Sequence, residues 1–259
     1  MTCELVDGSI FLHVPKTGGT WTYHILSQLK LIRRPAGRNV GGHSDYTRAV
    51  FFPKNKPRWR DWSDPRNLTF KNVMESGRHA ALPFTFCFVR HPVSWYESSW
   101  RFFPTVPEAK RAMWVNVEGY IKRWHPFRVG CLCLHADFNE YVRNLLKMFP
   151  GYVTWIYSQF AAPEINFVGK QEHLRDDLLT VLRQRKFNID KELLDRAPNV
   201  NASKTELPIR WDPGLLREVQ SVERASLLRF GYSHYEEPCS ALRGQAPGCE
   251  PHRPGRGCP

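Results

Sequence analysis

The stretch SIFLHVPKTGGTWTYHIL, Ser9 to Leu26, sets an apolar, β-prone run directly against a glycine-containing turn and a helical pattern. Ile10, Phe11, Leu12 and Val14 make the run. Trp21, Ile25 and Leu29 then recur every four residues, which predicts one face of a helix beginning near Thr20. A strand, a turn and a helix in that order aim the free N–H groups of the first helical turn, with the positive end of the helix dipole, into the turn. An anion is the natural occupant.

Farther along, FTFCFVRHP predicts a second strand, Phe84 to Val89, ending at Arg90-His91-Pro92, where the proline starts the helix VSWYESSWRFF. His91 reads as the cap of that helix. Asp137 caps a helix whose stripe is Phe138, Tyr141, Val142, Leu145 and Leu146. INFVG, Ile165 to Gly169, predicts a third strand, EHLRDDLLTVLRQ a helix, and residues 214–230 a last helix stopping at Gly231. Strands alternating with helices predict an α/β domain on a central parallel sheet flanked by helices, with ligands at the carboxyl ends of the strands. One domain over residues 1–237 is expected, and the Pro/Gly-rich residues 238–259 are expected to be disordered.

Composition narrows the classes. The 259 residues are 42% hydrophobic and 13% aromatic, enough for a sizeable core. No apolar run is long enough for a transmembrane helix, and acidic residues before Ser9 argue against a signal peptide, so a cytoplasmic location is expected. Seven cysteines form no CxxC pair, which argues against a disulfide framework or a zinc ribbon. CLCLH would bring Cys131, Cys133 and His135 to one face if extended, but reduced, partly buried thiols are expected there and no metal. The net charge of +12 points to an anionic ligand or a polyanionic partner. Arg33 to Lys71 holds ten Lys/Arg against three Asp, with Trp59 and Trp62 among them, and reads as a basic insertion or lid.

The loop itself is not a Walker loop, because Lys16 precedes the glycines. Its mechanics are similar: Gly18 and Gly19 permit close backbone approach, Thr17 and Thr20 carry hydroxyl donors, and Lys16 adds a point charge. At the second junction Arg90 offers a fork, with the Ser98 hydroxyl two helical turns on, a pair suited to a phosphate monoester. Two such sites on strand ends call for a bis-anionic nucleotide.

PKTGGTW closely resembles the 5′-phosphosulfate loop of the sulfotransferases, and RHPVSWYES resembles their 3′-phosphate segment, in which an Arg and a Ser eight apart hold the 3′-phosphate of 3′-phosphoadenosine 5′-phosphosulfate (PAPS). FVGKQEHLRDDL, VNASK and LLRFGY look like later segments of carbohydrate-type and bacterial members, so the likeness spans Ile10 to about Tyr232. His91 departs from it, standing where Asp or Asn is usual. The resemblance implies the P-loop-like sulfotransferase fold. It also implies that Lys16, Thr17, Gly18, Gly19 and Thr20 bind the 5′-phosphosulfate and that Trp21 stacks on adenine. Arg90 and Ser98 would take the 3′-phosphate, with Ser203 and Lys204 as further candidates. Trp21 has a rival role as core anchor of the first helix.

Sulfuryl transfer requires in-line positioning, neutralisation of the leaving phosphate and a base for the acceptor proton. Lys16 is the choice for the leaving-group oxygen. His43, in the Gly-rich GGHSDY, is the choice for the base and resembles the Gly-His segment of glycan sulfotransferases, with Glu75 and Glu97 as carboxylate alternatives. The expected acceptor is a glycan or another anionic hydroxyl compound, because Trp faces suit sugar rings and cations suit carboxylates or sulfates. Two other classes compete. A P-loop-like kinase would need a magnesium-binding Asp after an apolar strand, where FTFCFV runs into Arg90. A non-catalytic binder of nucleic acid or other polyanion would use the basic segment and show a steep salt dependence.

Overall fold

The computed structural model describes residues 2–35, 83–115, 127–198 and 209–235. Its α/β architecture rests on a five-stranded sheet in the order β3-β1-β2-β4-β5, formed by β1 (Cys3–Leu5), β2 (Ile10–Leu12), β3 (Ile32–Pro35), β4 (Thr85–Val89) and β5 (Phe167–Lys170). The expectation of a parallel sheet is corrected to a mixed one. β2, β4 and β5 run parallel, while β1 pairs antiparallel with both β2 and β3. The cause is a hairpin at the start of the chain. Gly8 takes φ +87, a left-handed conformation that favours glycine, and Asp7 accepts hydrogen bonds from the Ser9 N–H at 2.9 Å and hydroxyl at 2.7 Å.

The ten described helices are α1 (Gly19–Gln28), α2 (Pro92–Phe102), α3 (Glu108–Val115), α4 (Arg128–Leu132), α5 (Phe138–Met148), α6 (Tyr152–Phe160), α7 (Leu174–Gln184), α8 (Lys191–Arg196), α9 (Pro213–Val222) and α10 (Arg224–Arg229). Strand alternation sorts the core into two layers. Ile10, Leu12, Cys87 and Val89 face a layer with α2, α5, α6 and α9, which contains Trp95, Tyr141, Ile156 and Val219. Phe11, Phe86 and Phe88 face the other way, onto Ile25 and Leu26 of α1 and Leu178 and Leu182 of α7. With both faces covered, β2 and, after Thr85, β4 are unbroken apolar runs, as parallel strands in such sheets are.

Caps follow the sequence reading. His91 Nδ1 accepts from the Val93 N–H at 3.2 Å to start α2, and Asp137 accepts from the Glu140 N–H at 2.9 Å to start α5. The expected last helix is two, α9 and α10, broken at Glu223, whose fully buried carboxylate accepts from Tyr96 Oη at 2.7 Å, from the Val153 and Thr154 N–H groups at 3.0 and 2.7 Å, and from Thr154 Oγ1 at 2.6 Å. α6 begins at Gly151 with no capping side chain of its own, so Glu223 caps it from a distant part of the chain. The cysteine cluster is not an extended face either: Cys131 lies in α4, and the Cys133 thiol points at Met148 Sδ, 3.9 Å away. Burial pushes these thiols up to about 12 and about 11. Among the described residues no group of three or more His, Cys, Asp or Glu is placed to hold a metal ion, and no helix is long and apolar enough to cross a membrane.

Candidate functional site

Three parallel strands end in cations at one edge of the sheet: β2 runs into Lys16, β4 into Arg90, and β5 closes on Lys170. The first turn is built by its own backbone. Lys16 has φ +64 and Gly18 φ +81, so the chain is twice left-handed before α1 begins at Gly19. A non-glycine in that region costs on the order of 1 kcal/mol and is held by its surroundings. Here the Trp95 indole N–H donates to Pro15 O at 2.9 Å, Thr17 Oγ1 donates to Val14 O at 3.0 Å, and Arg90 Nη1 reaches Lys16 O at 3.5 Å.

Several of the predicted ligand groups take part in the packing of the turn itself. The Thr17 hydroxyl is buried and bonded inside the turn, so it locks the loop and does not offer a donor outward. Gly19 leaves room for a neighbour in place of a ligand: a Cβ built there would lie 1.9 Å from His13 Cδ2. His13 sits just past β2 with its ring stacked on that of Phe11, centroids 6.3 Å apart. Gly18 combines its positive φ with the Leu174 side chain, 2.5 Å from a would-be Cβ. Trp21 is 4% exposed in the core layer of α1 and α7, with the Arg175 guanidinium 5.4 Å from its ring centroid, surroundings that match its rival role as a core anchor. Gly19→Ala is therefore expected to destabilise by about 1–3 kcal/mol, the usual cost of overpacking. A thermal melt checks it, and an unchanged melting temperature contradicts the placement of His13.

What remains directed at the turn is cationic or amidic. Among the described residues no side chain caps α1, whose first turn carries no acidic residue. Lys16 Nζ lies 4.1 Å from the Phe102 ring centroid, a cation–π contact. Its pKa falls to about 7, first because burial disfavours the ammonium and second because Arg90 repels it. Thr20 is half-buried one residue into α1.

At the second junction Tyr157 Oη donates to Arg90 O at 2.7 Å and accepts from the Arg90 N–H at 3.0 Å, pinning the backbone where β4 gives way to α2. Nothing in the sequence singles out Tyr157 for this. Burial lowers the pKa of the guanidinium, opposed by the fields of Tyr157, Glu172 and Glu97, and its Nε is a buried donor with no hydrogen-bond partner among the described residues. Ser98 lies on the buried side of α2, 9% exposed, and takes no part in the hydrogen bonds of Arg90. Glu97, an alternative base on sequence grounds, is half-buried and accepts from Trp211 Nε1 at 2.8 Å and Tyr235 Oη at 3.1 Å. Lys170, unmarked by the sequence reading, donates from Nζ to Gly231 O at 2.8 Å. His43, Glu75, Ser203 and Lys204 lie outside the described residues, as do the segment from residue 36 to 82 and the tail from residue 236. No family model, curated protein or solved structure matches the chain.

Proposed function

We propose that the chain is a PAPS-dependent sulfotransferase on a P-loop-like fold, acting on a hydroxyl or amine of a glycan or other anionic acceptor and releasing the 3′,5′-bisphosphate PAP. One observation carries the reading: Lys16 and Arg90 meet at the N-terminus of α1, where among the described residues no side chain caps the helix and the buried Arg90 Nε has no partner. A buried guanidinium donor without a partner costs roughly 1–3 kcal/mol, which an anion would recover. The donor set fits a nucleotide with two separate anionic groups, one at the α1 turn and one at the Arg90 fork. PAPS supplies the activated sulfuryl group when bound.

The chain's own residues would then divide the work. The first N–H groups of α1, Lys16 and Thr20 hold the 5′ group, and Arg90 holds the 3′-phosphate with the Ser98 hydroxyl near the same helix. Ser203 and Lys204 are proposed to add to that site on the strength of the sequence resemblance. Lys16 donates a hydrogen bond to the oxygen that gains charge as the sulfuryl group leaves, and this needs its protonated form. His43 takes the acceptor proton. Positioning and electrostatics supply most of the rate. The basic segment with Trp59 and Trp62 covers the acceptor, which favours anionic glycans over neutral phenols.

Transfer of labelled sulfate from PAPS to a panel of anionic oligosaccharides and neutral phenols tests this. Labelling of the oligosaccharides is expected. Labelling of phenols alone overturns the acceptor class. No transfer to any acceptor, with salt-sensitive polyanion binding indifferent to Lys16→Ala, favours the non-catalytic binder.

A further inference from the structure

Beyond α10 the chain turns back and lies across the junction of β4 and α2. Gly231 takes φ +60, and its carbonyl accepts from Lys170 Nζ at 2.8 Å. Tyr232 Oη donates to Glu172 Oε2 at 2.9 Å, with Lys170 Nζ 4.5 Å from its ring centroid. Tyr235 Oη donates to Glu97 Oε1 at 3.1 Å, and Gln220 Nε2 donates to Tyr235 O at 3.2 Å. At the centre stands His91. Its ring lies 5.1 Å from that of Tyr232 and 5.3 Å from that of Tyr235, and its Nε2 is 3.1 Å from Ser233 O. Its own N–H donates to Glu172 Oε1 at 2.8 Å.

The hydrogen bonds fix the protonation state of this ring. Nδ1 accepts from the Val93 N–H, so it carries no proton, and Nε2 must carry one to meet the Ser233 carbonyl. A second proton would set N–H against N–H at Val93 and remove the cap of α2. The groups facing the imidazole are Glu172, Glu97, Lys170 and the phenols of Tyr232 and Tyr235, with Arg90 next in the chain. Burial lowers the pKa and outweighs the Ser233 carbonyl and the two carboxylates, which favour the charged ring; Lys170 adds to the lowering.

We propose that His91 is a positioning residue: its neutral ring straps Gly231–Tyr235 over the Arg90 junction, and protonation at Nδ1 releases the strap. Release has a consequence for the site. Glu172 and Glu97, now bonded to the strap's phenols, both face Arg90. Freed from Tyr232 and Tyr235, they compete with an anionic ligand for the guanidinium. The strap stands on the junction's geometry alone; only its effect on PAP rests on the sulfotransferase reading.

The sign follows from linkage. The strapped state binds the His91 proton more weakly than the released state, so strapping is favoured above the ordinary histidine value of about 6.5 and weakens below it. Hydrogen exchange of the full chain, corrected for intrinsic rates, reads this from about pH 7.5 to about pH 5 in the wild type and in His91→Asn, whose amide can cap α2 without titrating. Wild-type protection of residues 231–235 and of the Val93 N–H is expected to fall about tenfold per pH unit below about 6.5, then level off. Protection in His91→Asn is expected to be flat. ¹⁵N-histidine spectra should show the Nε2–H tautomer near neutrality. Unchanged wild-type protection, an equal loss in His91→Asn, or an Nδ1–H tautomer overturns the proposal. If His91→Asn does not fold, the wild type decides alone, by whether the imidazole titration and the loss of protection coincide. A PAP titration over the same range separates the two ideas: a strap that loosens on cue in a protein binding no PAP counts against the sulfotransferase reading and leaves the strap standing.

Discussion

Replacing Lys16 by Met is expected to lower the rate of sulfuryl transfer by about 10²–10³, the loss typical of removing one donor to a developing oxyanion. The melting temperature is expected not to fall. Burial has already brought this amine down to about 7, so the fold works against the ammonium and not through it. A protonation signature accompanies the kinetic one. An anion beside Lys16 raises its pKa, so ligand binding above about pH 7 takes up a proton, approaching one as the free amine becomes fully neutral. Calorimetry of PAP binding in buffers of different ionisation enthalpy measures that uptake, which Lys16→Met is expected to lose. In the free protein, stability rises with pH between about 7 and 10.5, because over that window the unfolded chain holds the lysine proton and the native state does not. An undiminished rate in Lys16→Met contradicts the role.

The second large effect lies far from the proposed anion site in sequence. Glu223→Ala leaves four donors without their acceptor: Tyr96 Oη, the Val153 and Thr154 N–H groups and the Thr154 hydroxyl. Removing one side of a buried charged network costs roughly 3–5 kcal/mol. For a domain of this size the melting temperature is expected to drop by about 10 °C. The same change uncaps α6, the helix that carries Tyr157 to the Arg90 backbone, so anion binding is expected to weaken with stability. A drop of only a degree or two in a thermal melt contradicts the account of Glu223 as a remote cap.

Legibility in the sequence follows burial geometry. Ile10–Leu12 and residues 86–89 stand out because both their faces are covered, which leaves unbroken apolar runs. Asp137 and His91-Pro92 mark helix starts because capping is local chemistry. The β1–β2 hairpin leaves only a short mark, the Asp7-Gly8 pair beside the apolar run, and it makes the sheet mixed where strands alternating with helices predict a parallel one. β3 gives almost no signal, since IRRP at a sheet edge has neither alternation nor an apolar run.

The site divides along the same line. Cations at strand ends are a one-dimensional signal, so Lys16 and Arg90 were legible, as was the spacing that buries Trp21. The duties of Gly19 and Thr17 were not, because they depend on the His13 ring and the Val14 carbonyl that folding brings against them. Tyr157, Lys170 and Glu223 act on residues more than 60 positions away, a distance over which no local pattern carries information.

The most direct test of the two proposed anion sites, at Lys16 and at Arg90, is thermal unfolding with PAP and, separately, with ATP, on the wild type and on Arg90→Ala. At about 100 times its dissociation constant a ligand adds roughly 2.7 kcal/mol, on the order of 5–10 °C here. The predicted result is a PAP shift larger than the ATP shift in the wild type and absent from Arg90→Ala. A PAP shift that survives in Arg90→Ala, an equal or larger shift with ATP, or no shift with PAP at all would contradict it.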